Sequence, residues 1–195
     1  MGVLKRIIQI LSAVAALLLL FPLLVTAMFL IFFTTGKWVL YRGKRVGKDG
    51  RIFNMYKLRT LKIGSEGKIR ARLLSEDDPY IIPVGGVLRR LKIDEIPQLF
   101  NVIKGEMNFI GPRPIRPIFY DYFLETIPRY QEKFKVKPGL TGLAQVMGDY
   151  QTPVIEKLKY EIFYNSHKNI RLDVKIIFLT LKLLFKNLFK KEQKL

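Results

Sequence analysis

Asp94 and Glu95 are adjacent carboxylates set among basic residues, and their types suit chemistry on phosphate. Arg89 and Arg90 stand just upstream, and Arg113 follows inside Gly111-Pro112-Arg113-Pro114. Arginine forks match phosphate oxygens in bidentate fashion, and a helix N-terminus adds N–H donors and positive potential. A carboxylate held there has a lowered pKa, stays ionised, and can attack a phosphorus atom whose oxygens are neutralised by arginine and a metal. Its neighbour can hold Mg²⁺, which takes one or two protein carboxylates and completes its shell with phosphate and water. A covalent aspartyl-phosphate is one option. The plainer option is an Asp N-cap followed by Glu, a common way to open a helix. Spacing alone does not show that these groups converge, so both readings stay open.

The composition removes most other chemistries. The chain has 195 residues and no cysteine, which excludes disulfides, thiolate nucleophiles and Cys-ligated zinc. His167 is its only histidine, it lies in a polar stretch, and no Gly-x-Ser-x-Gly elbow accompanies it, so it reads as a surface residue. Lys and Arg number 34 against 16 acidic residues, a net charge of +18, which suits an anionic partner. The hydrophobic fraction is nevertheless 49%, much of it near the N-terminus, so a phospholipid surface is expected before nucleic acid. No helix-turn-helix or aromatic stacking signature supports nucleic acid as a partner. A non-catalytic scaffold that binds anionic lipid is the competing class.

Several elements must position the dyad. Ile96, Leu99, Phe100, Val102 and Ile103 repeat at helical spacing, with Gly105 placed as a C-cap, Asp94 at the N-cap, and Glu95 and Pro97 in the first turn. Upstream, Gly47-Lys48-Asp49-Gly50 is a turn signal between strands Tyr41–Val46 and Arg51–Tyr56. The polar segment from Ile63 to Asp78 reads as a loop with a short helix. Downstream, 109–117 is too rich in Pro and Gly to be regular, 118–135 reads as helix broken at Pro128, and 137–142 as a turn-forming loop. Residues 172–191 form a basic amphipathic helix, with Lys175, Lys182, Lys186, Lys190 and Lys191 among apolar residues, suited to lying on anionic lipid or packing on the domain.

The stretch from Ile7 to Phe33 carries no charge and is long enough for a bilayer core, which needs about 20 apolar residues. It is too long for a cleaved signal h-region of about 7–15 residues. Pro22 at its centre predicts a kink. Lys5 and Arg6 precede it, and Lys37, Arg42, Lys44 and Arg45 follow. Basic flanks favour the cytoplasmic side, so a re-entrant helix with both ends inside is expected slightly ahead of a spanning one.

Lys57-Leu58-Arg59-Thr60, Leu88-Arg89-Arg90 and Ile93-Asp94-Glu95-Ile96-Pro97-Gln98-Leu99 closely resemble the bacterial sugar transferase family, the monotopic phosphoglycosyl transferases. The stretches 101–107, Gly111-Pro112-Arg113-Pro114 and 137–146 continue the likeness in order. The resemblance implies an α+β, mostly helical fold: a re-entrant membrane anchor over 1–36, a small catalytic domain over 37–195, and amphipathic interfacial helices. It implies transfer of a sugar phosphate from a UDP-sugar to polyprenyl (undecaprenyl) phosphate at the cytoplasmic face of the bacterial inner membrane, releasing UMP and initiating glycan assembly. By that likeness Asp94 is the nucleophile that takes the phosphosugar, Glu95 binds Mg²⁺, Arg89 and Arg113 contact phosphate, and the membrane helix breaks at Pro22. Lys57 and Arg59 are expected either at substrate phosphate or facing lipid headgroups. Thr141 and Gln145 either line the site or serve a turn, and Arg116 is either a phosphate ligand or a surface charge. Phe21 stands where the family often has Ser before the proline, Lys92 where a small hydroxyl residue is frequent, and Gly86 where a longer side chain is common.

Overall fold

The structure, a computed structural model, describes residues 2–36, 38–65, 69, 78–149 and 151–189. Lys37, Lys190, Lys191 and most of the expected loop with a short helix before Asp78 lie outside the described residues.

Helix α1, Val3–Thr35, is rich in Leu and Ala, and its charges precede Ile7. It is long and apolar enough to cross a membrane. It stops where Gly36 takes φ 68° and donates its N–H to the Phe32 carbonyl at 2.7 Å, a left-handed cap that glycine reaches without strain. The helical run passes through Pro22 without ending. Pro22 has no N–H for the turn before it, while its own carbonyl accepts from Thr26 Oγ1 at 2.9 Å. At the expected break the helix therefore loses one rung while the run stays helical on both sides. Ala13, Leu24, Ala27 and Ile31 form a buried stripe, whereas Leu18 and Leu19 at mid-helix are 71% and 81% exposed.

Strands β1, Leu40–Val46, and β2, Ile52–Leu58, pair antiparallel as expected, with Lys48–Gly50 as the turn between them. Then come α2, Gly85–Arg90, a tight turn over Ile93–Glu95, and α3, Gln98–Lys104. Strand β3, Asn108–Ile110, pairs in parallel with β4, Gly139–Thr141. Sequence reading takes both segments as irregular; three-residue strands are too short to show a period. Glycine makes the pairing possible, since a Cβ on Gly139 would collide with the Gly111 backbone.

Helix α4, Tyr120–Thr126, ends before the expected break, and Arg129 turns the chain at φ 62° into a 3-10 segment, Tyr130–Lys135. Helices α5, Leu143–Met147, α6, Val154–His167, and α7, Ile170–Phe189, complete the order. The fold is mostly helical with two small sheets. Its main core joins the α1 stripe to Met55, Leu58, Leu88, Leu99 and Val102, so the apolar helix packs directly on the elements that carry the dyad. A second cluster gathers Val46, Tyr130, Phe134 and Leu158, and a third gathers Ile110, Tyr164 and Ile176.

Candidate active site

Asp94 and Glu95 are not on the first turn of the following helix. They occupy their own 3-10 turn, and Pro97 holds the position before α3. Asp94 makes no capping hydrogen bond, so the N-cap expectation fails: Pro97 cannot donate a backbone N–H, and the regular α-helix begins only after it. The turn is set up by Lys92, which adopts a left-handed φ of 59°. That conformation costs a residue with a Cβ on the order of 1 kcal/mol, and such strain is typical of functional sites. Upstream, Gly85 lets α2 approach the Thr60 carbonyl, where a Cβ would lie only 2.6 Å from that oxygen. This close packing brings Arg89, in the last turn of α2, near the dyad.

Both carboxylates are buried. Lys57 reaches across from β2, its Nζ 2.7 Å from Glu95 Oε1 and 3.7 Å from Asp94 Oδ2. Arg113 Nη2 lies 3.0 Å from the same Glu95 Oε1. Desolvation pushes the Glu95 carboxyl up, but Lys57, Arg113 and Lys92 together outweigh it and hold the group well below the usual carboxylate range. Asp94 goes the other way. Burial raises it most, the Lys57 charge opposes, the Glu95 charge raises it further, and Lys92 and Arg89 offset part of that. The lowered pKa expected for the dyad therefore belongs to Glu95, while Asp94 is the more basic carboxylate. Asp94 Oδ1 is buried with no hydrogen-bond partner among the described residues.

Lys57 and Arg113 are each positioned by groups that sequence reading missed. Fully buried Asn101 on α3 accepts the Tyr56 N–H at 3.0 Å and donates Nδ2 to the Asn54 carbonyl at 2.7 Å, fixing β2 beside the dyad. The Arg113 backbone N–H donates to Glu161 Oε1 at 3.1 Å, and Glu161 Oε2 pairs with Lys133 Nζ at 3.0 Å inside the protein. The only signal for Glu161 is its place between Leu158 and Tyr164 on one helical face of α6, an element the sequence reading does not identify.

Other candidates fall elsewhere. Arg59 donates Nε to the Trp38 carbonyl at 2.9 Å, tying it to the junction of α1 and β1 rather than to the dyad. Thr141 and Thr180 share a hydrogen bond of 2.8 Å between β4 and α7, and Gln145 Nε2 donates to the Leu140 carbonyl at 3.2 Å. His167 is exposed and stacks on Phe163. Arg116 is half-buried and lines a cavity of about 210 Å³ together with Lys57 and Arg113. Pro22 lies inside α1.

No group of three or more His, Cys, Asp or Glu side chains that could cage a metal occurs among the described residues. The dyad still fits a hard divalent ion, because Mg²⁺ needs only one or two carboxylates, and the orphaned Asp94 Oδ1 leaves an oxygen lone pair uncommitted. Chemically, a basic buried carboxylate beside an ionised one, flanked by Lys57, Arg89 and Arg113, is suited to nucleophilic attack on an anionic phosphorus centre.

Comparison with known proteins finds relatives named as sugar-phosphate transferases. The chain is 38% identical over 181 residues to the UDP-N-acetylgalactosamine-undecaprenyl-phosphate N-acetylgalactosaminephosphotransferase of Aeromonas hydrophila, covering 91% of this chain and 43% of that protein. It is 34% identical over 182 residues to the UDP-glucose:undecaprenyl-phosphate glucose-1-phosphate transferase of Escherichia coli, covering 91% of this chain and 39% of that one. It thus spans about two fifths of the length of these relatives. It is also 31% identical over 194 residues to the exopolysaccharide production protein ExoY of Sinorhizobium fredii, covering 92% of this chain and 84% of that protein. The family model for bacterial sugar transferases matches residues 1–187, and the chain belongs to that family.

Proposed function

We propose that this protein transfers a sugar phosphate from a UDP-sugar to a polyprenyl phosphate through a covalent phosphosugar on Asp94. The observation that carries the reading is the division within the dyad: Glu95 is pinned by Lys57 and Arg113, while Asp94 keeps a buried, unpartnered, more basic oxygen. In the first step an Asp94 oxygen bonds to the sugar-bearing phosphorus. The bond from that phosphorus to the bridging oxygen breaks, and its electron pair leaves on UMP. In the second step an oxygen of the polyprenyl phosphate attacks the same phosphorus, the Asp94–phosphorus bond breaks, and the carboxylate is restored. Lys57, Arg89 and Arg113 neutralise phosphate oxygens in both steps. Glu95 would hold Mg²⁺, with Asp94 at its side, and the ion when bound supplies Lewis-acid neutralisation of phosphoryl charge.

The polyprenyl substrate calls for a membrane location, and α1 with the exposed apolar residues of α7 supports one. A re-entrant α1, with residues 1–36 as anchor and 37–195 as catalytic domain on the cytoplasmic side, has further support. Arg6 near its start donates to the Val102 and Ile103 carbonyls, while Ile31 near its end is fully buried in the same core. A straight helix would separate those residues by about 37 Å, at about 1.5 Å per residue. One relative is named for exopolysaccharide production, and we assign the reaction to the initiating step of surface glycan or glycoprotein glycan assembly. The test is UMP release over a panel of UDP-sugars with undecaprenyl phosphate, Mg²⁺ and the full chain in detergent. At least one sugar nucleotide should give turnover that Asp94→Asn abolishes and Glu95→Gln weakens. Full activity in Asp94→Asn would remove the nucleophile assignment.

A further inference from the structure

The cavity beside the dyad is lined partly by residues that hold Glu95 and partly by residues that do not touch the pair. Lys57 and Arg113, which hold Glu95, form the near wall. The far side is lined by Arg45 from β1, Arg116 from the segment after Gly111-Pro112-Arg113-Pro114, and Gln98 from the start of α3. Gln98 is only 3% exposed, and its Nε2 has no hydrogen-bond partner among the described residues. Leaving a buried amide donor unmade costs about 1–3 kcal/mol. Such a group on a residue that lines a cavity beside arginines points to an acceptor that arrives with a ligand.

The surrounding charge states which acceptor. Arg45, Arg113 and Arg116 lie close enough to act on one another: burial depresses the Arg45 guanidinium first, Tyr41 opposes this, and the Arg116 and Arg113 charges depress it further. Three guanidinium groups and Lys57 along one cavity give its lining a positive potential that favours an anion. Guanidinium forks and an amide N–H together match phosphate oxygens. The volume, about 210 Å³, is below the roughly 300–1,000 Å³ of sites that enclose whole drug-sized ligands. It suits a phosphate with part of its substituent rather than an entire nucleotide sugar.

We propose that this cavity is the seat of the leaving nucleoside monophosphate, with Gln98 Nε2, Arg45 and Arg116 binding the phosphate that departs from the phosphorus attacked by Asp94. The inference rests on the transferase reading for the order of events, but the cavity's affinity for a nucleoside monophosphate does not. Lys57 and Arg113 then face the transferred phosphorus, and the far wall takes the charge that grows on the departing oxygen. That division explains why all three of the ligands come from outside the dyad's own turn. Arg45 is placed by the β1–β2 hairpin, and Arg116 by the bridge between Val46 and Ile115.

The test is direct binding of UMP to the full-length protein in detergent by calorimetry, in parallel with UMP release from a UDP-sugar. Wild type should bind UMP, and Gln98→Leu and Arg45→Gln should each weaken it about tenfold. Gln98→Glu, which keeps the shape but places a carboxylate before the phosphate, should weaken it further. All three should keep the wild-type circular dichroism spectrum. In the release assay the same variants should raise the KM for the UDP-sugar and leave that for undecaprenyl phosphate within about twofold. Equal UMP affinity in wild type, Gln98→Glu and Arg45→Gln would overturn the assignment, as would no UMP binding by wild type at millimolar concentration. UMP binding that depends on these residues, without turnover on any UDP-sugar, would instead sink the transferase reading and leave the cavity's ligand standing.

Discussion

Lys57 is the residue on which both members of the dyad depend, since its ammonium lies between them and is nearest to Glu95. Lys57→Met leaves buried Glu95 with Arg113, whose side chain is 46% exposed, as its remaining close cation among the described residues. Losing a preorganised charge from such a site costs about 10²–10³-fold in rate. UMP-release kinetics of Lys57→Met should therefore show kcat/KM down by at least about a hundredfold. Glu161 makes a different prediction. Its pair with Lys133 is buried on both sides, so Glu161→Ala strands a buried ammonium, at a cost of about 3–5 kcal/mol. Urea unfolding should register that loss, and the double variant Glu161→Leu with Lys133→Met should lose less than Glu161→Ala alone. Residue types marked the dyad as a candidate site, but its inequality was not readable from them. Asp94 and Glu95 differ by what surrounds each, and Lys57 and Arg113 approach from segments far away in the chain. Glu161 and Lys133 were illegible for the same reason, because an isolated Glu or Lys in a charged sequence looks like solvated surface.

At the scale of elements, the hairpin and the helix ending at Gly105 were legible because turn glycines and a 3.6-residue period are local signals. The helix start was not. An Asp before a periodic run suggests a cap, whereas Pro97 and the left-handed Lys92 split off a separate turn for the dyad. The β3–β4 pair depends on close approach of Gly111 and Gly139, which no local period reveals. Asn101 is the joint between α3 and β2. Asn101→Leu leaves the Tyr56 N–H and the Asn54 carbonyl without their partner, at about 1–3 kcal/mol for each buried group. Chemical unfolding of that variant should show a loss of at least about 2 kcal/mol. Helices α6 and α7 are joined by Tyr164, whose hydroxyl donates to Asp173 at 2.8 Å. Burial first, then the bond to Asp173, pushes the Tyr164 phenol well above the usual tyrosine range, and burial does the same for Tyr130. A raised folded pKa gives stability that is complete below the unfolded value of about 10 and is lost as pH rises beyond it. Thermal unfolding of wild type should lose stability above about pH 10, and the double variant Tyr130→Phe with Tyr164→Phe should lose less over that window.

At the scale of the whole molecule, α1 is part of the main core rather than an appendage. The stripe Ala13, Leu24, Ala27 and Ile31 packs with Leu99 and Val102, and Arg6 caps α3 from the other end of α1. Basic flanks suggested both ends on one side, and docking of both ends onto one domain supports that topology. Labelling of single cysteines placed at Val3 and Thr35 in sealed inverted vesicles should find both accessible from the cytoplasmic side, and opposite sides would restore a spanning helix. On the proposed topology, a domain seated in this way would hold Asp94 close to a lipid-borne phosphate acceptor and leave the charged cavity to a soluble donor. The two substrates then need not meet, provided the phosphosugar waits on the enzyme. Intact-protein mass spectrometry after incubation with a turnover-competent UDP-sugar and Mg²⁺, with no polyprenyl phosphate present, tests that claim directly. Wild type should gain the mass of one phosphosugar, lost on adding undecaprenyl phosphate and absent from Asp94→Asn. An adduct of the same mass on Asp94→Asn, or turnover by a wild-type enzyme that forms no adduct, would contradict that claim.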